Sequence, residues 1–202
     1  MLLCDGAGSA IDLRGGTGYV TRHVIEGSST LVAAGCEFYS DTTANMMEAQ
    51  AIVTGMKHAL ELNISAIIIL SDSKLVVNQI NRVYRINNPR LIQLYSKVVA
   101  LEATLNIQCY HVGRNWNQEA DLLSKIGREQ GRTDKWPDDQ GEWNSLSFQL
   151  NAVSNFQKLM DQVNHPADRL SPIPVMVMTR KQRRQQNEER SKLSPAERQR
   201  LD

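Results

Sequence analysis

No run of apolar residues in this 202-residue chain approaches the ~20 that a membrane-spanning helix needs, so no helical span and no membrane partner is expected. Nothing reads as a cleavable leader either. Met1-Leu2-Leu3 passes straight into a strand-like segment, which sets the expectation of an unsecreted, intracellular protein, cytoplasmic or nuclear. Net charge is almost missing: 23 Lys and Arg face 22 Asp and Glu, a formal +1. That balance argues against binding a polyanion through bulk charge and leaves only local patches for the task. Cysteine is scarce and odd in number, with Cys4, Cys36 and Cys109 alone. None has metal-ligand spacing, and all sit in apolar strand-like runs. They are expected to be core thiols in a reducing compartment rather than a disulfide framework.

Strong apolar periodicity fills the chain up to about residue 130. Residues 1–5, 17–24, 30–38, 66–71 and 107–112 read as strands, with a hairpin-like turn at Glu26-Gly27-Ser28. The continuous apolar run of residues 66–71 predicts a strand buried on both faces. A helix capped by Thr42 or Thr43 is predicted to run to about Asn63, with Met46, Met47, Ala51, Ile52, Met56, Ala59 and Leu60 on one side. Shorter helices follow at 73–80 and at 89–105, the second with Leu91, Leu94, Tyr95, Val98, Val99 and Leu101 inward. A last one runs from Asn117 to about Arg128. The order βββαβααβα predicts an α/β fold with a five-stranded mixed sheet: an antiparallel meander followed by helix-linked parallel strands.

Beyond residue 130 the pattern dissolves, so residues 131–202 read as a C-terminal extension. One amphipathic helix is predicted near 146–163, through Leu146, Phe148, Leu150, Val153, Phe156, Leu159 and Met160. Pro172 and Pro174 punctuate a linker. Residues 179–202 carry eight Lys or Arg against four acids and read as a basic, solvated arm.

Four acids stand in unusual places. Asp5 ends the first strand, Glu48 leans inward from the first long helix, Asp72 ends the strand 66–71, and Asp121 begins the last helix. Each alone has an ordinary explanation: Asp72 as a helix cap, Glu48 as a solvated helix residue, Asp121 as a favourable charge at a helix N-terminus. Four carboxylates converging from apolar segments would repel one another and resist burial. Hard divalent cations with oxygen ligands would offset that, Mg²⁺ or Mn²⁺ held as a pair ~3.5–4 Å apart.

The residues also carry a resemblance. The segments "DGAG" (5–8), "GGTGYV" (15–20), "TANMMEAQA" (43–51), "SDSKLVVNQI" (71–80) and "HVGRNWNQEAD" (111–121) are similar to a ribonuclease H domain covering residues 1 to about 130. "YRINNPRLIQLYSKV" (84–98) and His111-Val112-Gly113-Arg114 resemble its plant and archaeal-like branch, often found in retroelements. The resemblance implies a ribonuclease H-like fold and hydrolysis of the RNA strand of RNA–DNA hybrids by a two-metal mechanism, leaving 5′-phosphate and 3′-hydroxyl ends. It implies Asp5, Glu48, Asp72 and Asp121 as metal ligands and catalytic residues, and Arg114 as a mobile group at the scissile phosphate, with His111 a weaker candidate. Asn45 would read 2′-hydroxyls. Asn117 would cap the last helix and orient the Arg114 loop. Lys74, Arg82, Arg85 and Arg90 would reach phosphates, each being equally compatible with a solvated basic surface.

One segment departs from the family. Where a Gly-Asn-Pro-Gly type turn is usual, this chain has "GSAIDLR" (8–14), with Asp12 at the tip, which puts hybrid contact there in question. "VMVMTRKQRRQQ" (175–186) is similar to linkers in retrotransposon polyproteins, so other domains of a longer polyprotein are expected partners. Two further readings stay open at this level: a non-catalytic tether or nucleic-acid binding module of the same fold, and a DNA-directed metal nuclease. Retention of all four acids speaks against the tether.

Overall fold

The computed structural model describes residues 1–25 and 28–137. The helix expected near 146–163 and the basic arm lie outside them, as does the turn at residues 26–27. The elements are β1 (Leu2–Gly8), β2 (Gly15–Ile25), β3 (Ser28–Tyr39), α1 (Ala44–Glu61), β4 (Ala66–Ser71), α2 (Lys74–Ile80), α3 (Pro89–Leu101), β5 (Asn106–His111), α4 (Gln118–Gln130) and β6 (Asp134–Trp136), with one 3-10 turn at Arg114–Trp116.

The sheet order is β5-β4-β1-β2-β3-β6. β1, β2 and β3 form the expected antiparallel meander, and β4 and β5 add in parallel. The expectation of five strands is corrected to six: β6 pairs antiparallel with β3, Trp136 opposite Ala34, and so continues the sheet past residue 130. A strand of three residues has no periodicity to read, and only its partner reveals it.

Side chains alternate across β1. Leu2 and Cys4 face a core built with α1 and α3, around Ile52, Met56, Leu94, Tyr95 and Val98. Leu3 faces the opposite core with Val20, Cys36, Leu123, Ile126 and Trp136. All three cysteines are buried and unbridged. Helix α4 packs across β1, β2 and β3, leaving part of β4 uncovered on that side. Hence Ile68 remains 37 % exposed, which corrects the expectation of a strand buried on both faces. Val99 is likewise exposed rather than inward on α3.

Two anchors hold α4. Its glycine-permitted approach to β2 is so close that a Cβ on Gly18 would stand 2.1 Å from Ala120 O. A buried fork also ties Arg22 of β2 to Glu119, with Nε to Oε2 at 3.0 Å and Nη2 to Oε1 at 2.5 Å. Gly131, with φ 64°, closes the helix in the left-handed conformation.

Candidate metal-binding active site

Strand β1 runs on to Gly8, so Asp5 lies inside it rather than at its end. The pairing that extends it is Gly8 with Gly15 of β2. On the other side, Cys4 pairs in parallel with Ser71. The next residues along, Asp5 and Asp72, therefore meet at the same level of the sheet. The opening Asp72 needs comes from β4 ending at Ser71, one residue before it.

Glu48 arrives from the other layer. Helix α1 rests so tightly on β1 that a Cβ at Gly6 would lie 2.0 Å from Glu48 N. Only glycine permits that approach. Ligand oxygens of Asp5, Glu48 and Asp72 come within 4.8 Å of one another. Burial raises Asp5 to about 6, with the charges of Asp72 and Asp121 adding to the shift and the Ser124 hydrogen bond opposing it. Burial, followed by the charges of Asp5 and Asp72, pushes Glu48 up to about 9. Glu48 Oε2 is a buried oxygen without a hydrogen-bond partner. A buried acceptor left over beside two other carboxylates is costly unless a cation completes it. The donor set is all oxygen, so these residues fit a hard divalent cation.

Asp121 stands beside this trio rather than in it. It is half-buried on α4, and its Oδ2 accepts from Lys125 Nζ at 2.6 Å, one helical turn on. Arg114 is 93 % exposed on the 3-10 turn, with its Nε 3.6 Å from Asp72 Oδ2. The guanidinium is thus tethered to the cluster only by charge. His111 is exposed at the end of β5.

The caps differ from expectation. Asp72 does not cap α2; Ser73 holds the N-cap position, without a side-chain cap bond. Thr43 sits at the N-cap of α1, again without one. Asn117 occupies the N-cap of α4 but its side chain turns inward. Its amide donates to Cys4 O at 2.8 Å and to Asp72 Oδ1 at 2.7 Å. The residue is buried, and two acceptors, one on β1 and one just past the end of β4, take its amide inward in place of a local cap bond.

The expected substrate contacts spread around this centre. Asn45 is exposed in the first turn of α1, Lys74 at the start of α2, and Arg85 in the α2–α3 connection. Arg82 is paired with Glu102 at 2.6 Å, and Arg90 with Asp41 at 3.3 Å. The departing loop 8–14 closes on itself. Ser9 N donates to Arg14 O at 2.9 Å, and Asp12 Oδ1 accepts from Arg14 N at 3.2 Å. The Ser9 hydroxyl, followed by the Arg14 backbone, holds Asp12 below the usual carboxylate range. Asp12 therefore serves the loop's own geometry, and Ile11 beside it is 98 % exposed.

Sequence reasoning missed Ser124, Lys125 and the Arg22–Glu119 pair. Ser124 and Lys125 follow Asp121 by one helical turn, and that spacing was the available signal. Arg22 and Glu119 are 97 residues apart, which no local pattern reveals.

A six-stranded mixed sheet with helices on both faces, carrying an acid cluster where β1, β4 and α1 meet, is a ribonuclease H-like fold. Residues 3–127 match the family described as Reverse transcriptase-like, and the chain belongs to that family. It is 31 % identical over 97 residues to the bifunctional protein Rv2228c of Mycobacterium tuberculosis, an alignment taking in 48 % of this chain and 27 % of that protein's length. The N-terminal RNase H domain of Rv2228c, solved as a fusion with maltose binding protein, superposes with a TM-score of 0.59 at 27 % identity, covering 64 % of this chain and 92 % of that one. RNase H1 from the halophilic archaeon Halobacterium salinarum NRC-1 shares the fold at TM-score 0.59 and 24 % identity, over 64 % of this chain and 96 % of its own. LC11-RNase H1, solved in complex with an RNA/DNA hybrid, does so at 0.59 and 20 %, again over 64 % and 96 %.

Proposed function

We propose that the domain is a ribonuclease H that cleaves the RNA strand of RNA–DNA hybrids. The observation that carries this is the unpartnered buried oxygen of Glu48 beside Asp5 and Asp72. Repulsion of this kind has no structural benefit, whereas it suits a site completed by cations. Asp5, Glu48 and Asp72, with Asp121 beside them, would hold Mg²⁺ or Mn²⁺. Two such ions supply an activated water and charge neutralisation at the scissile phosphate.

The chain's own residues do the rest. Asn117 holds the Asp72 carboxylate at one orientation while binding α4 to β1. Arg114 carries a permanent, planar cation on an exposed turn, able to leave Asp72 and pair with phosphate oxygens. Asn45 lies exposed on the helix that bears Glu48, where its amide can meet a 2′-hydroxyl in the wide minor groove. Lys74 and Arg85 follow the phosphate backbone. Breaking the P–O3′ bond leaves a 5′-phosphate and a 3′-hydroxyl. The family and the basic segment 175–186 support a polyprotein context, with reverse transcription as the source of hybrids.

Incubation with labelled RNA–DNA hybrid, RNA duplex and DNA duplex, with and without Mg²⁺, tests the reading. Mg²⁺-dependent cutting confined to the RNA of the hybrid is expected. Hybrid binding without cutting would make the domain a tether, and cutting of DNA would make it a nuclease of another specificity.

A further inference from the structure

We propose that Ser124 is a positioning residue for Asp5, setting the orientation in which that carboxylate meets a cation; the proposal rests on the cation-site reading above. Ser124 lies in α4 with 0 % exposure, among Ala120, Leu123, Ile126 and Gly127 on the face that packs against the sheet. Its hydroxyl is 2.5 Å from Asp5 Oδ2 and 2.9 Å from Asp121 O. A hydroxyl has one hydrogen to give, and an ionised carboxylate is the stronger acceptor. The carbonyl contact is the one any helical serine finds on the preceding turn. The Asp5 contact is different: it spans 119 residues of sequence and needs α4 at this distance from the sheet.

That distance is set by the glycines of β2. A Cβ on Gly18 would stand 2.1 Å from Ala120 O and 2.5 Å from Ser124 N. A bulkier residue there would lift α4 and take the hydroxyl out of reach. Packing alone would be satisfied by alanine at position 124, which is also the better helix former. A buried hydroxyl is costly without a partner, and here its partner is a residue of the acid cluster. The physical effect follows from the aspartate torsion. Rotation about the last bond of a carboxylate side chain is broad, so Asp5 without a fixed donor samples a range of orientations. One oxygen tied to Ser124 leaves a single arrangement for the cluster with Glu48 and Asp72.

Ser124→Ala tests this in the full chain, with Mn²⁺ alone as the probe. Calorimetric titration should show Mn²⁺ affinity weakened about tenfold, the usual size of losing a group that orients a ligand. The melting temperature in chelator should stay within a few degrees of wild type, while the rise on adding Mn²⁺ should shrink. Hybrid cleavage should need correspondingly more cation and recover when cation is saturating. Mn²⁺ affinity equal to wild type, or a melting temperature lowered equally with and without Mn²⁺, overturns the positioning role and leaves Ser124 as packing. Wild-type chain that binds no Mn²⁺ overturns the cation-site reading itself, and this inference with it.

Discussion

Asn117 and Asp72 are joined by a hydrogen bond of 2.7 Å across 45 residues, the same amide also holding the carbonyl of Cys4 at 2.8 Å. The end of β4, the middle of β1 and the start of α4 thus share one side chain. Asn117→Ala should lower hybrid cleavage about tenfold and cost about 1–3 kcal/mol, because a buried carbonyl and a carboxylate lose their donor. Asn117→Asp should be worse in both, since it removes both donated hydrogens and adds a fifth acid beside the cluster. Urea unfolding and single-turnover cleavage check the order.

Asp72→Asn should abolish cleavage while leaving the cation-free melting temperature unchanged or higher. It removes one charge from a repelling group, and its amide oxygen can still accept from Asn117. Thermal unfolding with and without Mg²⁺ reads both parts. Cleavage at the wild-type rate would remove Asp72 from the site.

Arg114 is free to move because its side chain is 93 % exposed and its ion pair with Asp72 is long, at 3.6 Å. Arg114→Ala should lower turnover by roughly one to three orders of magnitude, as for other single positioned electrostatic groups. Cation affinity should survive, since arginine ligates no metal. Arg114→Lys should recover part of the loss only, the planar fork being gone. Unchanged turnover moves the assignment to His111.

Gly18→Ala is expected to destabilise by about 1–3 kcal/mol, the typical cost of overpacking. The added Cβ meets backbone of α4 at 2.1 Å, which no side-chain rotation relieves. Chemical denaturation checks this. Loss of Mn²⁺ affinity should accompany it, because Asp121 and Ser124 ride on the displaced helix.

Stability should also depend on pH through His58, which meets Tyr19 in the core with Glu61 and Lys135 as the charges acting on it. Tyr19 Oη and His58 Nδ1 are 2.8 Å apart in the core. Burial lowers the imidazole below its usual value. In the unfolded chain the ring takes a proton near pH ~6.5. The unfolded state therefore binds more protons, and His58's contribution is complete above that pH and lost as pH falls below it. Melting temperatures of wild type and His58→Gln, measured from pH 7.5 down to 5, should converge on the acid side.

The acids themselves were legible from local patterns. Each of Asp5, Glu48, Asp72 and Asp121 interrupts or borders an apolar period, and periodicity placed every helix up to residue 130 within a few residues of its observed ends. The meander and the parallel additions follow from strand order and connection length. What local patterns leave open is anything set by a partner distant in the chain. β6 exists because β3 offers it an edge. Val99 is exposed because Leu91, Leu94, Tyr95 and Val98 already fill the inner face of α3. Asn117 looks like a cap in sequence and becomes a strut in space, since Cys4 O and Asp72 are brought to it from 113 and 45 residues away. Asp121 seemed equivalent to the other three acids, yet Lys125 on the same helix takes its outer oxygen while β1, β4 and α1 bring the remaining three together. The sequence by itself determined which groups can do chemistry, because charge and periodicity are properties of residues. Only the tertiary structure decided which of them meet, because distance between carboxylates depends on how closely Gly6 and Gly18 let two helices approach one sheet.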